Sequence, residues 1–340
     1  MKFKFSRRAR RAYAFGATTK QVLVVAVRIL SDIPLPVRVA ASLALFIVLG
    51  LPGRAMAQGE GAHTYFPAPD GTNILVFTYM DLKGNYDLSL PVQITDANVK
   101  ANVLAPTYKR FFSAGGRLAE LTLTGVVGHL SASADVAGHT INAPSTTGLG
   151  DWYVGIRLGL AGAPALKMAD YVKHKQGFQV YGILGFYIPA SQYDSAKLLN
   201  VGTNRWTIRL GLPMVKPFGK PARPVTLEVV PNLNIYTANN NPQFGATRKT
   251  QKPLFYVENH LDYNLTKKFW GSLDLRAYGG GKTTTDGVSD HNTIYNVGGG
   301  GTIGYAVTRA WGLQFTFGHS FYNNNGTSSR MYRVRTTYTF

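Results

Sequence analysis

Beyond residue 70, apolar and polar residues alternate in steps of two along most of the chain. Trp152, Val154, Ile156, Leu158 and Leu160 interleave with Asp151, Tyr153, Gly155, Arg157 and Gly159. The same alternation recurs over Arg205–Met214, Val225–Ile235, Ser272–Tyr278 and Trp311–Gly318. A period of two over ~9–11 residues predicts strands with one apolar and one polar face. About twelve such segments can be drawn, near 72–82, 101–112, 117–130, 149–162, 176–188, 203–216, 223–237, 253–265, 269–280, 293–306, 310–321 and 330–340.

Connection lengths separate two architectures that share this alternation. Ser113–Gly116, Phe218–Arg223, Thr266–Lys268 and Thr308–Arg309 are short. Between them lie the longer polar stretches Lys83–Lys100, Ser131–Thr147, Pro189–Gly202, Ala238–Lys252, Gly281–Asn292 and Asn323–Ser329. Short turns alternating with long loops, and an even strand count, predict an all-β fold: a transmembrane, antiparallel, up-and-down β-barrel of about twelve strands with both ends in the periplasm. Gly162–Lys175 is too long for its place in the series, and Ala165–Tyr171 reads as a short helix within it. Trp152, Trp206, Trp270, Trp311, Tyr187, Phe269 and Phe321 lie near strand ends, where interfacial girdles are expected. In the last segment Tyr332, Val334, Thr336, Tyr338 and Phe340 share one face. A terminal Phe340 preceded by Tyr338 on an alternating strand has the form of an assembly signal read by the outer-membrane barrel assembly machinery.

The start of the chain is different. Lys2, Lys4, Arg7, Arg8, Arg10 and Arg11 precede an apolar run from Val39 to Leu51, and Ala55-Met56-Ala57 follows. Basic leader, apolar stretch and A-x-A is the order of a secretory signal, with Ala55 and Ala57 as the small residues of the site and cleavage expected after Ala57. A retained anchor helix is the alternative. The expected organisation is therefore a signal peptide (1–57), a short segment (58–71) that is a candidate for the lumen, and a barrel (72–340).

Composition alters this picture in two places. The 340 residues include 37 Gly, 19 Tyr and 18 Phe but no Cys, which excludes disulfides and thiolate metal sites. The net charge of +19 is largely a leader effect: residues 1–57 hold ten Lys/Arg against Asp32, leaving 26 − 16 = +10 for the remainder. Those charges are scattered singly between apolar residues, which argues against nucleic acid and for outer-membrane lipid and lipopolysaccharide, or solvated loops, as their surroundings.

Charged residues inside apolar strands mark the inward face, because an Arg facing mid-membrane lipid costs about 2–4 kcal/mol. Arg157, Arg205, Arg209, Glu228, Glu258, Asp262, Asp274, Arg276, Arg333 and Arg335 are thus expected to point into the lumen. Opposed charges there are candidates for setting pore selectivity, and equally for pairing and filling a narrow barrel. No catalytic, metal or cofactor site is expected. There is no G-x-S-x-G or H-E-x-x-H, His319 and Ser320 are neighbours on opposite strand faces, and Asp286–His291 reads as a solvated loop. Gly298–Gly301 lacks the helix and the Lys-Ser/Thr of a phosphate loop, and is expected to permit close backbone packing or to leave room in the lumen.

Several short motifs carry a family resemblance: Gly59-Glu60-Gly61-Ala62 with Tyr65-Phe66-Pro67, Gly148-Leu149-Gly150-Asp151, Tyr187-Ile188-Pro189 with Tyr193-Asp194, and the Tyr-Phe terminus. With these the mature chain resembles the outer-membrane proteins named for the meta-pathway of phenol degradation. Ala68-Pro69-Asp70 after Pro67 departs from that family's usual spacing. The resemblance implies a Gram-negative outer-membrane, porin-like channel that passes small hydrophobic or aromatic compounds by diffusion and is not an enzyme. A structural or surface-interaction barrel without transport is the alternative.

Overall fold

A computed structural model of the chain describes residues 60–85, 98–136, 139–219, 224–324 and 328–340. The basic leader, the Ala55–Ala57 cleavage pattern and Gln58–Gly59 lie outside the described residues. Among the described residues no helix is long and apolar enough to cross a membrane. One helical turn, α1 (Met168–Tyr171), sits inside the long connection where a short helix is expected.

Strands make up the rest of the fold. In chain order they are β1 (Asn73–Asn85), β2 (Asn98–Ala114), β3 (Arg117–Thr124), β4 (Val127–Val136), β5 (His139–Leu149), β6 (Trp152–Ala161), β7 (Gln179–Ile188), β8 (Thr207–Gly211) and β9 (Met214–Phe218). They continue with β10 (Val225–Tyr236), β11 (Lys249–Gln251), β12 (Leu254–Asn264), β13 (Phe269–Gly280), β14 (Thr283–Thr285), β15 (Val288–Ser289), β16 (Ile294–Ala306), β17 (Trp311–Asn324) and β18 (Ser328–Thr339). Neighbours in sequence pair antiparallel around a ring, and β1 pairs with both β2 and β18, so the sheet has no free edge. The result is a closed 12-strand antiparallel barrel. Its seam is locked at the last residue: the Asn73 N–H donates to the Phe340 carbonyl (2.8 Å) and the Phe340 N–H to the Asn73 carbonyl (2.9 Å).

Three staves are broken where the sequence interrupts the ladder. β3 runs into β4 across Gly125–Val126, and β5 into β6 across Gly150–Asp151. β8 and β9 are separated by Leu212–Pro213, because proline has no N–H to give to the ladder. Most of Ser131–Thr147, expected as a loop, is instead the β4–β5 hairpin, which continues the wall past the membrane band. Its Ser/Thr/Ala composition carries little apolar contrast, so periodicity did not mark it. The long connections Ala238–Lys252 and Gly281–Asn292 likewise contribute a small separate sheet, β11–β14–β15. There the Asp286 carboxylate accepts the Thr247 hydroxyl (2.7 Å) and the Thr247 and Arg248 N–H groups, and these bonds hold it below the usual carboxylate range.

The outward face is an apolar band. Phe77, Leu104, Ile156, Leu210, Leu273 and Phe315 are among its exposed side chains. Trp152, Trp206, Trp311, Phe269 and Phe321 lie on the same outer surface. Two expected girdle aromatics do not. Trp270 and Tyr187 share strand parity with Asp274 and Arg209's partner Gly185, and both point into the barrel. Position near a strand end says nothing about which face a ring occupies.

A soluble protein could not leave such a band uncovered, and a closed barrel leaves no backbone group unpaired in lipid. This is an outer-membrane-type barrel, and the chain resides in the outer membrane. The glycine run in β16 serves packing: a Cβ on Gly300 would collide with the Phe317 carbonyl, next to a bulge between Val297 and Gly298.

The folded protein is expected to resist SDS until boiled, giving two gel mobilities. Leu273→Arg, on the lipid face, should lower stability in vesicles by about 2–4 kcal/mol, read by denaturant titration. A mobility that never changes on heating would contradict the closed barrel.

Candidate functional site

The lumen is built from cross-strand pairs on the inward face, where directly opposed residues interact most strongly. Arg157 lies opposite Glu120 and binds it. Glu120 also takes the Lys109 ammonium at 2.8 Å. Glu258 lies opposite Arg276 (3.5 Å), and His260 opposite Asp274, with Nδ1 and Oδ1 2.7 Å apart. Asp274 is further bound by the Ser272 and Thr302 hydroxyls at 2.5 and 2.6 Å. Arg209 donates Nε–H to the Asn232 side chain at 2.9 Å. Arg276 stacks over Tyr256 and Tyr278, and Arg205 over Tyr236. Buried charges demand such pairing, because desolvation otherwise outweighs what they gain.

Residues 60–72 run through this interior, held by the same charges. The Glu60 carboxylate pairs with Arg209, and its N–H donates to Glu258 at 3.0 Å. Glu228 accepts two backbone N–H groups, from His63 (2.8 Å) and Tyr65 (3.3 Å). Arg157 donates to the Tyr65 carbonyl, and Arg209 to the Tyr65 hydroxyl at 3.0 Å. Arg335 donates to the Glu60 carbonyl and to the Thr64 hydroxyl (3.1 Å). The His63 ring is stacked between Phe66 and Trp270, with centroids 4.1 and 3.6 Å away. Gly61 lies against Arg333 with a left-handed φ of 87°, and a Cβ there would overlap the guanidinium. Further along, the Pro67 carbonyl accepts the Tyr171 hydroxyl (2.8 Å) and Asp70 pairs with Lys167 (2.7 Å). The α1 connection is therefore an anchor for the segment, which accounts for its length.

At the loop end the connection 189–206 folds inward. Leu199 is fully buried with Leu82, Ala101, Leu130 and Met331, and Leu198 and Val201 pack beside it. Gln243 fixes this turn by donating to the Lys197 and Leu198 carbonyls at 2.6 and 2.9 Å. Asp151 accepts the Thr203 N–H and hydroxyl at 3.0 and 2.6 Å. Gly128 and Gly150 make room for Val201, since a Cβ on either would press into its side chain.

A cavity of about 570 Å³ remains between the inner segment and the β1–β3 wall. Its two sides differ. Ile74, Val76, Met80, Leu82 and Ala105 form an apolar wall on β1 and β2, Arg333 and Arg335 stand beside it on β18, and Arg209, Arg276 and Glu258 line the space farther round the ring, with Tyr153, Tyr187 and Tyr256. That asymmetry was not anticipated from the sequence. The inward apolar residues of β1 alternate with outward Phe77 and Tyr79, so apolar side chains occupy both faces and the alternation there is blurred.

The candidate selectivity residues are thus close together and engaged: Arg157, Arg209, Glu228, Glu258 and Arg335 bind residues 60–65, while Asp274 and Arg276 bind neighbouring strands. Arg205 lies farther toward the loops, bonded to the Gln251 side chain. Tyr338 and Phe340 lie outside on the closing strand, their rings stacked 5.9 Å apart.

Among solved structures the chain resembles an outer membrane channel from Pseudomonas putida F1, with a TM-score of 0.70 and 19% identity, covering 83% of this chain and 100% of that one. It also resembles the translocator domain of the autotransporter NalP from Neisseria meningitidis, with a TM-score of 0.47 and 11% identity over 80% and 90% of the two chains. The first likeness concerns the fold, and the second is too distant to argue from. No curated protein matches the sequence. The model of the family described as "Putative MetA-pathway of phenol degradation" matches residues 77–335, most of the barrel, and the chain belongs to that family.

Proposed function

We propose that this barrel is an outer-membrane diffusion channel for small hydrophobic or aromatic compounds. The observation that carries the reading is the apolar wall of the 570 Å³ cavity. Barrel interiors are ordinarily polar, and a cavity of ~300–1,000 Å³ with apolar lining and a few polar groups is the usual form of a small-molecule site. The Pseudomonas putida relative is itself an outer membrane channel, and the family's printed name connects it with phenol degradation. The inner segment narrows the path from the turn end, and Leu198–Leu199 cover it from the loop end. Passage then requires both to give way for a time, on the scale of loop motions. Arg157, Arg209, Glu228, Glu258 and Arg335 dock the segment, and together with Arg205, Asp274, Arg276 and Arg333 they set the charge seen by a permeant. Tyr338 and Phe340 present the closing strand to the assembly machinery, and lipid and lipopolysaccharide surround the outer face.

Catalysis is not part of this reading. The alternative of a purely structural barrel is favoured by one observation, the completeness with which the segment is docked. Swelling of protein-loaded liposomes separates the two: solute-dependent swelling supports the channel, and impermeability to every small solute supports the structural barrel.

Gly61→Val and Arg209→Ala each remove part of the docking and should raise unit conductance in planar bilayers severalfold. Conductance unchanged in both would mean that the segment does not restrict the path. Arg205→Ala combined with Arg209→Ala should move the reversal potential toward cation preference; an unmoved potential would remove these arginines from selectivity.

A further inference from the structure

The charges lining the large cavity are not matched alike. Lys109 has Glu120 at 2.8 Å, Arg276 has Glu258 at 3.5 Å, and Arg209 has Glu60. Of the carboxylates lining the cavity, Glu60 and Glu258 are thereby committed to these partners, and Asp151 accepts from Thr203. Arg335 differs. It lines the same cavity, and its hydrogen bonds go to neutral oxygens only: the Glu60 carbonyl, the Thr64 hydroxyl at 3.1 Å and the Thr78 hydroxyl at 3.4 Å. Among the described residues it makes no ion pair. A guanidinium in a low-dielectric interior without a carboxylate in contact is under-compensated, and a bound anion would supply that contact.

Arg335's neighbours suit such an occupant. Gln314 lies directly opposite it on β17, and its buried Oε1 has no hydrogen-bond partner among the described residues. Turning that carboxamide over presents its NH₂ to the space beside Arg335, in place of an unsatisfied oxygen. Thr78 faces Arg335 from β1, and Thr337 lines the same cavity. Two residues along β1 on either side of Thr78 stand Val76 and Met80, with Ala105 of β2 next to Thr78. One wall therefore offers a cation and neutral donors at one point, with an apolar surface beginning beside it.

We infer that this cavity binds a small organic anion with a flat apolar body, of the aromatic carboxylate class. The anionic head sits at Arg335 with Gln314 and Thr78, and the ring lies against Val76, Met80 and Ala105. The inference rests on the channel reading and narrows it: the occupant is charged at one end, not a plain hydrocarbon. The guanidinium fork matches a carboxylate in two parallel hydrogen bonds, which fixes the head while the ring stays loosely held. Such a site favours entry of the anion without retaining it tightly.

The test is equilibrium dialysis of the folded, detergent-solubilised protein at neutral pH with benzoate, its neutral isostere benzamide, and acetate, which has the charge but no ring. Benzoate should bind at least roughly tenfold more tightly than either comparison, the factor expected for one charge-assisted contact. Arg335→Gln should lose that preference and Arg335→Lys should keep part of it, with heat-shifted gel mobility confirming that both variants are folded. Equal binding of benzamide and benzoate in the wild-type protein overturns the inference without any variant. Acetate competing as well as benzoate overturns it too, because the apolar wall would then contribute nothing. Liposome swelling with uncharged solutes tests the channel reading separately. Swelling without benzoate preference removes the anion site and leaves the channel, whereas no swelling removes the channel on which the inference rests.

Discussion

Closure of the ladder between β1 and β18 is the constraint on which this molecule depends. In lipid an open sheet edge would expose a row of unpaired N–H and C=O groups, at several kcal/mol each. The twelve staves therefore stand or fall together, and the chain's last residue takes part in the closure through the paired Asn73 and Phe340 backbones. The outward band follows from the same constraint. Once the ring is closed, each strand must turn one face to lipid, and Leu273, Phe315 and Val334 can stay uncovered only there.

The second consequence of closure is an interior too narrow to remain a simple water-filled tube. Inward cations such as Arg157, Arg209 and Arg276 and the carboxylates Glu60, Glu120 and Glu258 are brought into contact range, and they cannot all be solvated. They pair across strands, as Arg157 does with Glu120 and Arg276 with Glu258, and they take backbone groups of residues 60–65 as additional partners. The inner segment is thus part of the lumen's electrostatic solution, and removing it would leave Glu228 and Arg209 with unsatisfied charge. Its placement on the charged side leaves the apolar β1–β3 side open. The cavity exists because the segment docks asymmetrically.

The proposed channel function rests on that asymmetry. A uniform ring of charge would pass ions, and a uniform apolar tube would pass hydrocarbons or stay dry. Here an apolar surface and cationic side chains line one space, with residues of the docked segment in its lining and Leu199 packed against Leu82. Side chains of opposite chemistry across a gap of this size suit molecules that are themselves amphipathic. Movement of either closure would join the cavity to solvent without disturbing the ladder, because both are connections and not staves.

The sequence by itself determined the architecture. Alternation along Trp152–Leu160 or Trp311–Gly318 is local, and a charge such as Arg276 in an apolar strand can face only inward once lipid is outside; strand number and parity follow from counting. The inward face of Arg157, Arg209 and Arg333 was legible for the same reason. What the tertiary structure decided is everything that depends on distance across the ring. Trp270 turned inward to stack on His63, residues hundreds of positions apart in the chain met at Glu60 and Arg335, and Leu199 folded back onto Leu82 and Met331. The β4–β5 hairpin escaped notice because small polar residues give no periodic signal. Period two reports the face a side chain takes, and it carries no information about what stands opposite on the far side of a closed wall.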